Sequence, residues 1–592
     1  MRPAAAVAVA ALSATLAAPR LAAAGDGPAA SGTATASTAP TASTAGTAPI
    51  LGGDRPRTSA AGDAFDESLI LDTGRRATPA PDPEKLSFSI RGEYELRYRA
   101  ASDLTLAAPL SNPEATTLGQ NQYVYHWLRL TPRLQYRDTL ALVAQIDVPR
   151  GMVAGDTTRY TDAVRDAWFE PNWFEVHPRQ LYVEWTSPVG LFRVGQQTSH
   201  WGMGMLANDG DHASIFGDYQ RGAIATRILY AVPPLGRGTP LLVALGGDLV
   251  FEDNTADLLG DDVKDDPQNG PSKKRNGDLA FQGVAAIAYR TPSWELGMYG
   301  VYRHQQRDDR STGALTPFTE VLEVGVLDIT GKFNHPLPSG RAFLYGQAEA
   351  AMIFGQSTYV RGGYRKGLDP RAPTRPEKIQ SFGAVARLGV VREAREGDVR
   401  WGDFVAELEW GYASGDADPS DGVTKRFTMD PNHNVGLVLF DHVLAWKTAR
   451  AATIAQDPQI VNRPTPGLDL LPSRGGVFGA TYLNPRVIVR PRPWLDLRGG
   501  VVIAQSTADF VDPYHAGALG SFSNYDGGDS RRHDLGVELD LGFMTRIAFK
   551  QGTTIELGAE GGAFFPGHAF DDANGVSLDN QYLANMKVGV LY

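Results

Sequence analysis

From Leu86 onward the chain reads as segments in which apolar side chains fall on every second position, the period of a strand with one dry and one wet face. Near the end, Leu535, Val537, Leu539, Leu541 and Phe543 alternate with Gly536, Glu538, Asp540 and Gly542. No helix gathers such residues on one side. The same alternation sets Leu86, Phe88, Ile90, Tyr94, Leu96 and Tyr98 against Arg91, Glu93, Glu95 and Arg97, and it sets Phe404, Ala406, Leu408, Trp410 and Tyr412 against Glu407 and Glu409.

The pattern predicts about eighteen strands, near 86–100, 122–136, 139–150, 179–187, 190–200, 221–232, 239–252, 278–290, 293–306, 318–334, 340–356, 379–394, 399–414, 476–490, 493–507, 531–549, 552–565 and 579–592. Short links such as Tyr136-Arg137-Asp138, Thr291-Pro292 and Lys550-Gln551-Gly552 alternate with long ones at 101–121, 151–178, 201–220, 253–277, 357–378, 415–475 and 508–530. Greek-key connections in a sandwich would break that alternation, whereas a membrane barrel has short turns on one side and long loops on the other. The fold class expected is therefore all-β, a transmembrane antiparallel up-and-down β-barrel with short periplasmic turns and long extracellular loops. Closure follows from the solvent, since a sheet edge left in hydrocarbon strands its amides at several kcal/mol per group. Outward positions then face lipid, as Trp294, Leu296, Met298 and Tyr302 do in one strand.

Composition agrees with a barrel and removes other classes. Charged residues are 21% and hydrophobic residues 42% of 592, too polar for a bundle of membrane helices. There is no cysteine, which excludes disulfide scaffolds, thiolate metal sites and cysteine nucleophiles. The net charge is -11 and no basic run is interleaved with aromatics, so nucleic acid is not an expected partner. Arg2 followed by the alanine-rich run Ala4 to Ala18 and by Ala22, Ala23 and Ala24 reads as a signal peptide over 1–24. Residues 25–84 have the Ala, Thr, Ser, Gly and Pro composition of a disordered periplasmic extension. The barrel is expected over 85–592, with 415–475 as a long loop outside it or folded into the pore.

A barrel this wide is not filled by its own side chains, so its inner face carries the function. The strand phases turn Arg91, Arg97, Arg129, Arg133, Arg193, Arg486, Arg490, Arg498 and Arg546 inward. They also turn Glu184, Glu407, Glu409, Glu538, Asp540, Glu556 and Glu560 inward. Closure brings the arginines of the first two strands toward the carboxylates near the end. Two readings stand side by side: salt-bridged ladders in the wall, and a transverse field at a constriction that orients polar solutes. No cofactor is called for.

The most distinctive segment is Val194-Gly195-Gln196-Gln197-Thr198-Ser199-His200-Trp201-Gly202-Met203-Gly204-Met205-Leu206-Ala207-Asn208-Asp209-Gly210. It resembles the strand and loop start of large outer-membrane channels, and Glu409-Trp410-Gly411-Tyr412-Ala413-Ser414-Gly415-Asp416 resembles a motif of alginate-export-type barrels. The chain is also similar to predicted outer-membrane barrels that share the S-x-W-G-x-G-x-L-A-N-D-G motif. Gln196 stands where such channels often carry arginine. The resemblance implies a channel and names no substrate. Met586-Lys587-Val588-Gly589-Val590-Leu591-Tyr592 resembles the terminal signal that outer-membrane barrels present to their insertion machinery.

Trp201, Gly202, Gly204, Asn208 and Asp209 are the constriction-loop candidates, either narrowing the pore or forming a tight packed turn. Ser199 and His200 beside Asp209, Asp211 and His212 supply the groups of a hydrolase, yet neighbours on a strand point to opposite faces. Asp416, Asp418 and Asp421 before Gly422 form a candidate Ca²⁺ loop with its glycine one place off the EF-hand spacing. Leu437, Phe440, Leu444 and Trp446 have partly helical spacing, suited to a short plug at the pore mouth. The first functional expectation is passive diffusion of small hydrophilic solutes across a bacterial outer membrane, with outer-membrane lipid and the insertion machinery as partners. A surface or structural barrel plugged by 415–475 is the alternative, and an outer-membrane hydrolase the third.

Overall fold

The computed structural model describes residues 86–106, 117–156, 174–212, 214–218, 222–236, 239–252, 279–309, 318–338, 342–358, 376–392, 403–419, 421–449, 472–492, 494–513, 515–516, 520–549 and 553–592. The segments expected as signal peptide, 1–24, and as low-complexity extension, 25–84, lie outside them. The first half of the wall is built from β1 (Leu86–Ala101), β2 (Gln122–Tyr136), β3 (Leu140–Gly155), β4 (Glu175–Ser187), β5 (Gly190–Thr198), β6 (Ile224–Val232), β7 (Leu241–Glu252), β8 (Leu279–Arg290) and β9 (Trp294–Asp309). The second half comprises β10 (Phe318–Pro336), β11 (Ala342–Ser357), β12 (Glu377–Arg392), β13 (Asp403–Ala413), β15 (Ala480–Arg492), β16 (Leu495–Ser506), β17 (Asp534–Ala548), β18 (Thr554–Pro566) and β19 (Gln581–Leu591). Between β13 and β15 a two-residue strand, β14 (Val423–Thr424), pairs in parallel with the end of β12 and is not part of the wall. Each predicted strand coincides with one wall strand, with ends shifted by a few residues, as where β3 continues past 150 to Gly155.

Successive wall strands pair antiparallel, and β1 closes on β19 from Glu93↔Leu591 to Ala101↔Leu583. The amide of Gly92 donates to the Tyr592 carbonyl at 3.0 Å and the Tyr592 amide donates back to the Gly92 carbonyl at 2.9 Å. No backbone edge is left for hydrocarbon at this seam.

Burial is inverted relative to a water-soluble protein. Leu541, Met586, Leu296 and Tyr582 stand exposed on the outside, while Glu95, Asp147, Glu409, Asp496 and Glu538 have no exposure at all. Charged groups are almost never buried unless paired, so the wet side of this sheet is its inside and the dry side meets lipid. An aromatic girdle marks the short-turn rim: Trp185 stacks on Phe192 at 5.4 Å, Phe192 meets Tyr230 at 4.9 Å, and Tyr289 stacks on Trp294 at 5.1 Å. Rings with a wet edge and a dry body settle at that level.

One expected phase is corrected. Leu535 is fully buried in the internal apolar cluster, although Leu539 and Leu541 on the same strand are exposed to lipid. The register between β16 and β17 shifts between Ala504 and Gln505, and Gly536 takes φ +111 in this bulge. An extra residue there sends Leu535 to the opposite face. A Cβ on Gly536 would fall 2.2 Å from the Phe565 carbonyl oxygen. Gly536→Ala is therefore expected to cost about 1–3 kcal/mol, read as a lower urea midpoint for unfolding of the detergent-solubilised barrel.

Candidate functional site

The inner face is a continuous network of ion pairs. Arg129 holds Asp147 at 2.7 Å and Asp211 at 2.8 Å. Glu184 lies between Arg193 at 2.6 Å and Arg133 at 3.4 Å. Glu409 receives Arg387 Nε at 2.8 Å, Arg486 at 3.1 Å and the Tyr482 hydroxyl at 2.7 Å, while Arg486 also meets Glu407. Arg490 and Arg546 share Asp496, each at 2.6 Å, Arg498 donates to the Ile215 carbonyl at 2.9 Å, and Glu560 accepts from Asn585 at 2.9 Å. Arg91 is half-buried on β1.

Closure does not bring together the residues expected. Arg129 and Arg133 pair within β2–β4 and with a loop, far from the acids of β17 and β18. The seam is carried instead by two residues outside the candidate set. Lys587 meets Glu95 and, at 3.3 Å, Glu556, which in turn holds Arg546 at 3.1 Å. The reason is register: Arg97 and Lys587 stand directly opposite across the seam, and Glu95, which also holds Arg97, separates the two like charges. For these residues the ladder reading describes the wall better than a free transverse field, because each cation is neutralised locally.

Two loops from the long-loop side enter the barrel. The segment after β5 crosses from wall to wall. Trp201 stacks on Tyr299 of β9 at 5.3 Å, the amides of Met203 and Met205 donate to Glu349 of β11, Asp211 joins Arg129 and Arg179 at 2.8 Å each, and Asp218 pairs with Arg97 of β1. Gly202 packs against the Glu349 carboxyl, Asn208 ties the turn by bonding the Gly204 carbonyl at 3.2 Å and the Gly210 amide at 3.0 Å, and Asp209 is buried. The constriction-loop candidates thus form a tight packed turn that also lies across the lumen.

The second segment, after β13, docks on the first. The Asp430 amide donates to the Met205 carbonyl at 2.7 Å, and Asn434 donates to the Asp218 carbonyl at 3.1 Å. The amides of Leu437, Val438 and Leu439 all donate to the Glu538 carboxylate of β17. A helical stretch over 439–449 follows; Phe440, Leu444 and Trp446 are buried on it and Leu437 just before it. Its far end is held by Lys447, 2.6 Å from Asp526. The plug suggested by the helical spacing therefore lies inside the wall; the described part of 415–475 ends at 449 and resumes at 472.

His442 sits within this plug, next to the ion pair of Asp441 with Arg99 at 2.7 Å. Burial, and then the Arg99 charge, push its imidazole down to about 3 from an ordinary 6.5. The docked plug refuses a proton that the undocked segment accepts between those two values, so docking is strongest above about 6.5 and weakens as pH falls toward 3. Channel current or protease access to the segment is expected to rise over that window, and His442→Gln is expected to flatten the response.

Ser199 and His200 do not form a catalytic pair: Ser199 bonds the Ala223 carbonyl through its amide, and His200 stacks on His212 with ring centres 3.7 Å apart. A serine–histidine contact lies elsewhere. Ser506 Oγ is 3.0 Å from His533 Nδ1, and His533 Nε2 is 3.4 Å from Asp509. The same Nδ1 is 3.2 Å from the Ser506 carbonyl and Ser506 is 6% exposed, the geometry of a turn clamp with its hydroxyl withheld from substrate. In the acidic loop, Asp416 accepts the amides of Asp418 and Lys425, both at 3.2 Å, and Asp421 holds the Lys425 ammonium at 2.7 Å. Among the described residues the Asp421 carboxylate of this loop is thus engaged by an ammonium. Burial lifts the Asp416 carboxyl above its usual range.

Asp218 and Glu349 escaped the sequence reading, and Asp211 was read only beside Ser199 and His200. Asp218 reads as a solvated loop residue, and only the inward parity of Glu349 on β11 could have drawn attention to it.

No protein-family model matches the chain, and no curated protein matches it. Among solved structures it is similar to OccK5 (OpdH) of Pseudomonas aeruginosa, with 10% identity over 86% of this chain and 98% of that one and a TM-score of 0.42. The outer membrane protein OprD of Pseudomonas aeruginosa gives 10% identity, 85% and 94% coverage and a TM-score of 0.43. OccAB1 of Acinetobacter baumannii gives 9%, 85%, 96% and 0.41. The barrel assignment stands on the strand pairing and the inverted burial described above.

Proposed function

We propose that the protein is an outer-membrane channel for small hydrophilic solutes whose passage is set by two in-folded loops. The observation that carries this reading is the inversion of the sheet. A closed wall with lipid-facing Leu, Phe and Trp encloses charged residues, and the lumen is crossed by loops pinned through hydrogen bonds rather than filled by wall side chains. Wide barrels of this kind hold an aqueous path or a plug. On the long-loop side a cleft lined by Asp416, Thr424, Arg426, Phe478, Asp509 and Tyr525 offers polar and aromatic groups to an arriving solute. The likeness to alginate-export-type barrels rests on 409–416 alone, and the proposal names no polysaccharide.

A second reading, a structural or surface barrel with a blocked lumen, is favoured by one feature: Leu437, Val438, Leu439, Phe440, Val443 and Leu444 have no exposure. Planar-bilayer recording of the purified protein separates the two. Discrete current steps with charge-dependent reversal potentials support the channel, and an electrically silent barrel overturns it in favour of the plug.

A further inference from the structure

We propose that His200, Asp209 and His212, on the loop that crosses the lumen, bind a divalent transition-metal ion of the zinc type. His212 Nδ1 lies 2.9 Å and His200 Nδ1 lies 3.7 Å from the same oxygen, Asp209 Oδ1, and the three ligand atoms fall within 4.8 Å of one another. Donors sharing one metal at zinc bond lengths stand about 3–3.5 Å apart, so a small shift of the His200 ring toward Asp209 brings the set to bonding distance. Among the described residues this is the one group of His and carboxylate side chains so arranged. Two imidazoles and one carboxylate suit zinc, copper or nickel, whereas calcium and magnesium take oxygen donors.

Charge balance points the same way. Asp209 is 2% exposed, and a buried carboxylate needs a counter-charge. The two guanidiniums at this place, Arg129 and Arg179, are both turned to the Asp211 carboxylate. Among the described residues the Asp209 side chain meets the Asp211 amide, at 2.9 Å, and the two imidazoles. A metal ion would supply the missing positive charge while leaving both rings neutral.

The backbone holds the site in place. The Asp209 carbonyl accepts from Arg179, the Asn208 carbonyl accepts the Ala223 amide at 2.8 Å, and Gly222 packs against the Asp209 backbone. Outer partners of this kind fix ligand direction and raise metal affinity. The His212 side chain is 45% exposed, which leaves a coordination position open for water or a passing solute, as in a zinc site with three protein ligands.

The site does not depend on whether the barrel conducts, and calorimetry tests it directly. The full-length protein in detergent, stripped with a chelator and then dialysed, is titrated with zinc chloride. One saturable micromolar site per chain is expected, and His212→Ala should weaken it by about ten-fold or more. Because that side chain is half-exposed, the variant is expected to fold, and the exposed His568→Ala serves as a control that keeps full affinity. Absence of saturable binding up to millimolar zinc, or equal affinity in wild type and His212→Ala, overturns the proposal.

Discussion

Replacing Glu538 with alanine is expected to free the second in-folded segment and to raise single-channel conductance severalfold. The carboxylate is the shared acceptor for the amides of Leu437, Val438 and Leu439, and it lies wholly inside the wall. Without it each stranded donor costs about 1–3 kcal/mol, three such donors together weighing against the buried apolar side chains and the Lys447–Asp526 pair that also hold the segment. The segment then leaves its dock to reach water, while the strand ladders keep the barrel closed. Protease should cut the variant within this loop at concentrations that spare wild type. Identical currents and identical cutting in the two proteins would show that Glu538 is not the anchor.

The second large effect concerns the wall itself. Glu409→Ala is expected to lower barrel stability by about 3–5 kcal/mol, the usual cost of removing one partner from a buried ion pair. Arg387 depends on Glu409, with the other acid, Glu407, 3.9 Å away, and Arg486 loses one of the two carboxylates it is shared between. The result is a marked fall in the urea midpoint, with the heat-shifted electrophoretic form appearing at lower temperature. Glu409→Gln keeps the shape and loses the charge, so it should fall between the two. A midpoint unchanged in the alanine variant would mean that solvent already reaches these guanidiniums.

The wall was readable from the sequence because its logic is local. Alternation in β1, β13 and β17 follows from one face meeting lipid and the other water, and no distant contact is needed to see it. The error at Leu535 came from Gly536, since a bulge reverses the phase without altering the composition that produced the pattern. Glu538 and Asp540 are buried where Leu539 and Leu541 are exposed, but sequence phase cannot say that Glu538 binds a loop about a hundred residues away. Asp218 looks like an ordinary loop acid until the fold sets Arg97 opposite it, and Asp211, read beside Ser199 and His200, turns instead to Arg129. Lys587 was passed over because β19 was read for its outward stripe. Pairings that depend on where a long loop ends up are invisible to periodicity, and most of the candidate site is made of them.

Both in-folded loops are fastened through their amides, to Glu349 on one wall and Glu538 on another. At those amides the grip is indifferent to which side chains hang from the loop, whereas Trp201, Asp211, Asp218, Asp441 and Lys447 hold by their own. Lineages descended from this chain could therefore exchange the residues that face the passage, and so retune what is admitted, while the hinge points stay as they are.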